Sequence, residues 1–229
     1  MIRLTDVSKV YDHEVYALYR INMTIEDGEF VYIIGSTGSG KSTLIKLLDG
    51  EEIPTAGTVE VENINVGRLR HSKVPKYRRN IGVVFQDYRL LDTLTVSENI
   101  AFALDVVDMK KKDITKRVQE VLKLVSLEDK ATVFPHELSG GQQQRAAIGR
   151  AIANHPKVLI ADEPTGNLDP LKSDEIMELL EQINKQEKTT ILMVTHDVKI
   201  VNKYKKRTIS LADGHIVLDA KEGGYETRD

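Results

Sequence analysis

The sequence predicts an α/β fold with a parallel β-sheet, and three observations support this class. An apolar, β-branched run at 30–34 leads through a glycine-rich loop into apolar residues at helical spacing. The run 158–162 is almost continuously apolar, which is typical of strands covered on both faces of a parallel sheet. Strand-like and helix-like stretches also alternate along much of the chain, as they do in α/β proteins.

Strand patterns dominate the first hundred residues, apart from the helix that begins near Lys41. Turns at 27–28 and 54–57 separate some of these strands. A basic stretch at 68–79 is most simply interpreted as a solvated face. The predicted strands, which alternate in polarity or are continuously apolar, are 2–7, 18–25, 58–61 and 81–85.

Helical patterns replace the strands between about 87 and 136. A capping box at Thr95–Glu98 predicts a helix from about Val96 toward Val107. The charged run Lys110–Asp113 is expected to break that helix. A second helix then carries four apolar residues on one face, namely Val118, Val121, Leu122 and Val125. This region therefore predicts a helical insertion.

The last third returns to strand and helix alternation. Buried strands are predicted at 158–162 and 190–195. Asp169 and Pro170 form an N-cap and first-turn pair, and Asp197 can cap the helix after the second strand. The helix that begins at Pro170 is expected to bury Ile176, Leu179, Leu180 and Ile183.

The composition excludes several classes of function. The 229 residues contain 32 Lys and Arg against 35 Asp and Glu, and the formal charge of -3 gives no general attraction to nucleic acid or anionic membranes. No cysteine is present, which excludes disulfides, thiolate metal sites and thiol catalysis. The N-terminus becomes charged too early for a signal peptide, and the apolar runs are far shorter than the roughly 20 residues of a spanning helix. We therefore expect no unaided membrane crossing.

The glycine-rich loop carries the pattern G-x-x-x-x-G-K-S/T between a strand and a helix, which predicts nucleoside triphosphate binding. Its glycines allow backbone N–H groups to turn around an anion, and the helix adds partial positive charge. Lys41 would reach the β- and γ-phosphates, and the Ser42 hydroxyl would bind Mg²⁺. The alternative is an ordinary turn with a surface lysine. The predicted phosphate-binding residues are Gly35, Ser36, Thr37, Gly38, Ser39, Gly40, Lys41, Ser42 and Thr43.

Two carboxylates, Asp162 and Glu163, lie at the end of the apolar run 158–162. Ligands of open α/β sheets bind at the carboxyl ends of the strands. Asp162 suits a direct or indirect role at Mg²⁺, and Glu163 suits a general base for an attacking water. From the residues alone, an ordinary loop is an equally good interpretation.

The segment Leu138–Gln142 precedes a helix and allows two interpretations. Ser139 and Gln142 can form a capping box. Gly140 and Gly141, however, cost roughly 1 kcal/mol each against alanine in a helix. Because glycines at a helix N-terminus expose N–H groups to a phosphate, they favour a nucleotide contact.

Three further residues are ambiguous individually. Gln86 and His196 each follow a predicted strand, where such residues are commonly hydrogen-bonded loop residues. Tyr11 is either a packed aromatic or a platform on which a base stacks, and sequence physics alone favours packing. The occurrence of all these motifs in one chain favours functional roles for the residues that are ambiguous individually.

Together, the motifs resemble the ordered set of the ABC-type ATPases, and the LSGGQ signature is the most specific of them. The resemblance covers residues 1 to 220 and implies a single P-loop NTPase domain. Its RecA-like parallel-sheet core and antiparallel β subdomain would occupy 1–86 and 137–220, its helical subdomain 87–136, and a loose tail 221–229. The motifs that carry the resemblance are Gly35–Ser42, Gln86, Leu138–Gln142, Val158–Glu163, Asn167–Asp169 and His196.

The resemblance also implies roles for individual residues. Tyr11 would stack on adenine, which overturns the preference for packing. Glu163 would be the catalytic base, His196 would contact the γ-phosphate, and Gln86 would touch Mg²⁺ and sense a membrane partner. The signature of one subunit would close over ATP held by another, so a second copy of the chain is expected. The remaining implied nucleotide contacts are Ser139, Gly140, Gly141, Gln142 and Asp169, and the implied magnesium contacts are Ser42, Gln86 and Asp162.

A narrower resemblance is to the branch that contains the lipoprotein-release, macrolide-efflux and cell-division ATPases. It is carried by 161–169, and the segments 28–35 and 74–87 are similar to the cell-division members. It implies a peripheral protein on the cytoplasmic face of the membrane at the division site, with an integral partner resembling FtsX and indirect control of peptidoglycan hydrolases. The alternatives are the ATPase motor of a lipoprotein, lipid or drug exporter, and a soluble ABC protein acting on ribosomes or DNA. Tandem domains or a coiled coil would favour the latter, and neither is evident; no nucleic-acid partner is expected.

Overall fold

The computed structural model describes residues 1–221, and of His13 the backbone alone. Of the predicted tail at 221–229, residues 222–229 lie outside the described residues. The chain divides into two compact units. The first unit comprises Met1–Arg78 together with the chain from Thr190 onward, and the second comprises Arg79–Thr189. The division into a core at 1–86 and 137–220 and a helical insertion at 87–136 stays a prediction.

Ten strands and seven α-helices occur within the described residues, so the predicted mixture of strands and helices is confirmed. The strands are β1 (Ile2–Tyr11), β2 (Val15–Ile25), β3 (Phe30–Ile34), β4 (Ala56–Val61), β5 (Ile64–Asn65), β6 (Ile81–Val84), β7 (Val158–Asp162), β8 (Thr190–Val194), β9 (Arg207–Ala212) and β10 (His215–Ala220). The helices are α1 (Lys41–Leu48), α2 (Val74–Arg78), α3 (Val96–Val106), α4 (Lys111–Leu124), α5 (Gly140–Ile152), α6 (Pro170–Glu187) and α7 (Val198–Lys203).

The first unit contains a four-stranded antiparallel sheet with the strand order β2-β1-β4-β5. In the middle of this sheet, Ile2 of β1 lies opposite Ile25 of β2 and Val61 of β4. All three side chains are buried, so this face of the sheet belongs to the core. The observed strands extend beyond the predicted ones because pairing with neighbours keeps the backbone extended through polar residues.

The same unit contains parallel strands around β3. Ile33 of β3 lies opposite Val194 of β8 on one side and Ile209 of β9 on the other. Every residue of β3 and β8 is buried, which explains their uninterrupted apolar sequences. The strands β9 and β10, which were not predicted, form a hairpin. Its turn residues, Asp213 and Gly214, have φ of +46° and +75°.

The second unit combines two parallel strands with helices. Val84 of β6 lies opposite Ala161 of β7. Helix α5 packs closely on α4. A Cβ atom at Gly149 of α5 would lie only 3.1 Å from the side chain of Val121 and 3.4 Å from that of Val125. The glycine therefore permits the close approach of these two helices.

A buried arginine fastens α4 to the end of α5. Arg117 Nε donates to the carbonyl oxygen of Ala153 at 2.8 Å, and its Nη2 donates to that of Ile152 at 3.1 Å. Glu187 accepts from the same guanidinium at 3.2 Å and balances its charge. A buried cation needs such partners, because a charge without them is costly in a protein interior.

The expected break between two helices is confirmed, but it lies earlier than Lys110–Asp113. Helix α3 ends at Val106, and Lys111 already begins α4. The amides of Asp113 and Ile114 bond to the carbonyl oxygen of Lys110 at 2.9 and 3.0 Å. Lysine is a good helix former, so a basic run does not by itself end a helix.

The basic stretch lies mainly on the surface of the first unit. Its part up to Arg78 forms two short 3₁₀ turns and α2, and most of its side chains are exposed. Tyr77 is the buried anchor, and its hydroxyl donates to the carbonyl oxygen of Leu48. This placement agrees with a solvated face.

None of the helices in residues 1–221 combines the length and the apolar character that a bilayer-spanning helix needs.

Candidate functional site

The loop 35–40 in the first unit requires glycine at two positions. At Gly40, φ is +106° and a Cβ atom would lie 2.4 Å from the carbonyl oxygen of Ala17 in β2. At Gly35, φ is +150° and a Cβ atom would lie 2.2 Å from the carbonyl oxygen of Leu211 in β9. The loop is therefore seated between two strands, in a backbone conformation that L side chains avoid.

The start of α1 suits an anion. Gly40 is its N-cap, and no side chain caps the first turn. Of the four longer helices in the described residues, three are capped by side chains, from Thr95, Ser139 and Asp169, and α4 is not. Backbone amides and the helix dipole at an uncapped N-terminus favour a bound phosphate. The loop residues thus fit the triphosphate that the motif predicts.

Lys41 extends back over this loop. Its Nζ donates to the carbonyl oxygens of Gly35 at 2.7 Å and Ser36 at 2.8 Å. The ammonium group therefore lies over the beginning of the loop. Of the other predicted phosphate-binding residues, Ser36, Thr37, Gly38 and Ser42 are exposed, Thr43 is partly buried and Ser39 is buried.

The seating of the loop gives a matched prediction for stability. Gly40→Ala should destabilise the protein by about 2 kcal/mol or more, because strain and overpacking cost roughly 1–3 kcal/mol each. Gly38→Ala is the control, since its φ is +82° but no atom lies within 4 Å of a Cβ atom there. Chemical denaturation without nucleotide measures both. Equal losses of stability would contradict the close approach of β2 to the loop.

His196 leaves the sheet at the same edge as this loop. Because Ile33 lies opposite Val194, Gly35 and His196 each come two residues after a paired position. Neighbouring strands are about 4.8 Å apart, so the exposed His196 lies close to the loop. Asp197 caps α7 by accepting from the amides of Lys199 and Ile200, at 2.8 and 3.1 Å, as predicted.

Tyr11 is exposed at the end of β1, with 37% of its surface accessible. Its ring faces the Nζ atom of Lys9, 5.0 Å from the ring centroid. Tyr11 pairs with Val15 at the beginning of β2, and Ala17 of the same strand contacts Gly40. The exposed ring argues against a core packing role and leaves it available for stacking.

In the second unit, β7 ends in the two predicted carboxylates. Asp162 is the last residue of the strand, and Glu163 follows with φ of +49°. A left-handed conformation costs a residue other than glycine roughly 1–3 kcal/mol, and such strain is concentrated at functional sites. The turn is held by a hydrogen bond of 3.0 Å from the amide of Gly166 to the carbonyl oxygen of Glu163.

Gln86 and Glu163 are brought together within this unit. Because Val84 lies opposite Ala161, each of the two residues comes two positions after a paired residue. A Cβ atom at Gly166 would lie 3.4 Å from Gln86 Nε2 and 3.6 Å from Glu163 Cβ. The side-chain amide of Gln86 and the beginning of the Glu163 side chain therefore lie beside Gly166 at one edge of the strand pair.

The segment 167–169 continues from this turn. Asn167 Nδ2 donates to the carbonyl oxygen of Gln86 at 3.2 Å. Asp169 is exposed, and its side chain caps α6 by accepting from the amide of Lys172 at 3.0 Å. The predicted N-cap is confirmed, whereas a contact between Asp169 and nucleotide stays a prediction.

The signature residues form the capping box that the sequence allowed. Ser139 Oγ accepts from the amide of Gln142 at 3.4 Å, and Gln142 Oε1 accepts from the amide of Ser139 at 2.9 Å. A Cβ atom at Gly141 would lie 3.2 Å from Lys172 Cδ, so close packing on α6 also favours glycine there. A nucleotide contact of 139–142 stays a prediction.

The donor chemistry fits magnesium when nucleotide is bound. No cluster of three or more His, Cys, Asp or Glu side chains that could hold a metal occurs in residues 1–221. Mg²⁺ in nucleotide sites, however, takes one or two protein oxygens and completes its shell with phosphates and water. The hydroxyl of Ser42 in the first unit and the carboxylate of Asp162 in the second are each a donor of this type, and a magnesium contact of either stays a prediction.

The residue-by-residue interpretation missed two side chains in the second unit. Arg150 donates to the carbonyl oxygens of Tyr88 and Arg89, and Tyr88 Oη approaches Gly140. A signal for Arg150 was present, because an arginine among the small and apolar residues of a buried helix needs internal partners. Nothing in the sequence indicated a contact for Tyr88.

A model of the family described as ABC transporter matches residues 18–166. The chain is 51% identical to the cell division ATP-binding protein FtsE of Bacillus subtilis over 229 residues, which are 100% of both chains. It is also 51% identical to FtsE of Mycobacterium tuberculosis over 226 residues, which are 98% of both. These similarities extend far beyond the short motifs.

Among solved structures, the chain is similar to the ATP-binding cassette MJ0796 in a dimeric post-hydrolysis state bound to ADP and Pi. The two chains are 39% identical with a TM-score of 0.87, and the match covers 98% of this chain and 100% of the other. The predicted fold class, with parallel and antiparallel strands in one ABC cassette, is thereby confirmed.

Proposed function

Because the chain belongs to the ABC transporter family of ATPases, we propose that it is the ATP-hydrolysing subunit of a membrane complex that acts in cell division. The observation that carries this proposal is the 51% identity to FtsE over the full length of both chains. ATP binding and hydrolysis follow from the family. The division role and the residue roles below are our proposals.

The loop of the first unit would bind the triphosphate. The amides at the start of α1 and the ammonium group of Lys41 would hold the β- and γ-phosphates. Tyr11 would stack on the adenine, and His196 would donate a hydrogen bond to the γ-phosphate. Mg²⁺, when bound by Ser42, Asp162 and Gln86, would neutralise phosphate charge.

Glu163 would be the general base for hydrolysis. Its carboxylate would accept a proton from the attacking water, whose oxygen forms the new bond to the γ-phosphorus while the bond to the leaving ADP breaks. The backbone at φ +49° fixes where Glu163 leaves β7, and Gln86 lies beside it. This geometry supports an orienting role for Gln86.

Two copies of the chain would assemble on ATP. Ser139–Gln142 and Asp169 of one copy would contact nucleotide held by the other, and the dimeric MJ0796 cassette supports this arrangement. Binding of ATP supplies contacts that favour the closed dimer, and hydrolysis removes them. The complex would thereby convert ATP turnover into movement.

The membrane partner would be an integral protein resembling FtsX, and the pair would control peptidoglycan hydrolases at the division site. The chain would then be a peripheral protein on the cytoplasmic face of the membrane. The motor of a lipoprotein or macrolide exporter is the alternative, and it is less favoured because two FtsE proteins match the chain over 98–100% of both lengths.

Purification of the tagged chain from detergent-solubilised membranes tests the proposed partner. We expect one integral protein of FtsX type to copurify and to raise the ATPase rate of the chain when the two are reconstituted. The tagged Glu178→Gln variant, with an exposed carboxylate neutralised, is the control for the purification. Copurification of a transporter with a lipoprotein-binding ectodomain would favour the exporter instead.

A further inference from the structure

The segment that follows Gln86 has an unusual backbone. Tyr88 and Arg89 are consecutive left-handed residues, with φ of +61° and +49°. Neither is glycine, asparagine or aspartate, which are the residues that accept this conformation most easily. Two such residues in a row persist only where surrounding contacts hold them in place.

Arg150, near the C-terminal end of α5, supplies contacts of this kind. Its Nη2 donates to the carbonyl oxygen of Tyr88 at 3.0 Å, and its Nη1 donates to that of Arg89. Burial lowers the pKa of this guanidinium, which nevertheless stays charged. The planar group offers two donors in a fixed fork, and it holds both strained carbonyls at once. We call this pair of hydrogen bonds the Arg150 clamp.

Tyr88 also reaches the opposite end of the same helix. A Cβ atom at Gly140, the first residue of α5, would lie 3.1 Å from Tyr88 Oη. Burial raises the pKa of the Tyr88 phenol, so it stays protonated near neutral pH. Tyr88 therefore contacts α5 twice, through its backbone at Arg150 and through its hydroxyl beside the signature.

Gln86, the first residue of the segment 86–89, contacts the turn that follows Glu163. Its backbone carbonyl oxygen accepts from Asn167 Nδ2 at 3.2 Å, and its side-chain Nε2 lies 3.4 Å from the position of a Cβ atom at Gly166. The segment 86–89 is thus held by the turn after Glu163 at its beginning and by α5 at its end.

We infer that Arg150 and Tyr88 are positioning residues that make Gln86 and the signature at Ser139–Gln142 move together. A displacement of Gln86 by the nucleotide or by a partner would be transmitted through Tyr88 to the first turn of α5. The clamp prevents the strained segment from relaxing and absorbing that displacement. The inference rests on the proposed roles of Gln86 and the signature in ATP hydrolysis.

Substitution of Arg150 in the full-length chain tests the inference. Arg150→Met should lower kcat for ATP about 10- to 100-fold, because misplacement of catalytic groups by about 1 Å costs up to 10²-fold. The affinity for a fluorescent ATP analogue should change less than about twofold, since the proposed phosphate loop belongs to the other unit. Arg150→Lys keeps the charge on a single nitrogen but loses the planar fork, and it should give an intermediate kcat.

The matched control is Arg117→Met. Arg117 is equally an arginine that donates to two backbone carbonyls, and it also meets the end of α5, but its partners are Ile152 and Ala153 rather than the segment 86–89. Both substitutions should lower thermal stability. Only Arg150→Met should speed hydrogen exchange in peptides that cover 86–91 while reducing kcat.

Tyr88→Phe is the second test and keeps the ring while removing Oη. We expect a three- to tenfold lower kcat at unchanged nucleotide affinity, and this variant decides the matter if Arg150→Met does not fold. Wild-type kcat in Tyr88→Phe and in the folded Arg150 variants would overturn the inference, as would an equal loss in Arg117→Met. Absence of hydrolysis by the unaltered chain would instead contradict the proposed function.

Discussion

Glu163→Gln is expected to lower kcat for ATP about 10²- to 10⁴-fold, which is the contribution typical of a general base. Glutamine has nearly the shape of glutamate, and it keeps the hydrogen bond from Gly166 because that bond goes to the backbone carbonyl oxygen. Its amide cannot accept the proton of the attacking water. ATP should therefore still bind, and the closed dimer should accumulate, because its release depends on hydrolysis.

Steady-state phosphate release and light scattering with Mg²⁺ and ATP measure the two effects. Glu178→Gln is a suitable control, since it makes the same isosteric change at an exposed carboxylate of α6 in the same unit. A Glu163→Gln protein that hydrolyses ATP at the wild-type rate would remove the base from the proposed mechanism. A Glu163→Gln protein that binds ATP and stays monomeric would contradict the proposed ATP-dependent dimer.

The strands could be predicted from the sequence where both faces are buried, because such strands have an uninterrupted apolar sequence. β3, β7 and β8 are apolar along nearly their whole length because neighbours cover them, and the sequence shows it directly. β9 and β10 were missed although Asp213-Gly214 between two alternating runs is a hairpin signal. That signal is short, and basic residues before β9 obscured its beginning.

The residues of the candidate site were proposed from the sequence, whereas the strained backbone at Glu163 was not. The spacing of Gly35, Gly40 and Lys41 between a strand and a helix predicts a phosphate-binding loop. The positive φ of Glu163 could not be read, since glutamate has no preference for that conformation. The partners of Arg150 likewise depend on tertiary contacts between residues far apart in sequence. Sequence thus identifies local geometry better than the contacts that hold it.

Lys41→Ala is the second substitution with a large expected effect, and it should weaken ATP binding about 10- to 100-fold. A hydrogen bond to a charged group contributes about 1.5–3 kcal/mol, and each 1.4 kcal/mol is tenfold in affinity. Lys41 already donates to Gly35 and Ser36 at 2.7 and 2.8 Å, so we expect nucleotide binding to exchange these bonds for bonds to phosphate. That exchange keeps the expected loss well below the full energy of an ion pair.

Calorimetric titration with ATP and Mg²⁺ measures the loss. At the same ATP concentration the thermal shift should also be smaller, because stabilisation by a ligand rises with the logarithm of the ratio of its concentration to Kd. Lys46→Ala is the control on the same helix, where the lysine is paired with Glu51 at 3.2 Å and lies beyond the loop. Its removal should leave the affinity unchanged. Equal affinity in Lys41→Ala and the unaltered chain would mean that the ammonium group stays on the loop carbonyls when nucleotide binds, and that backbone amides alone hold the phosphates.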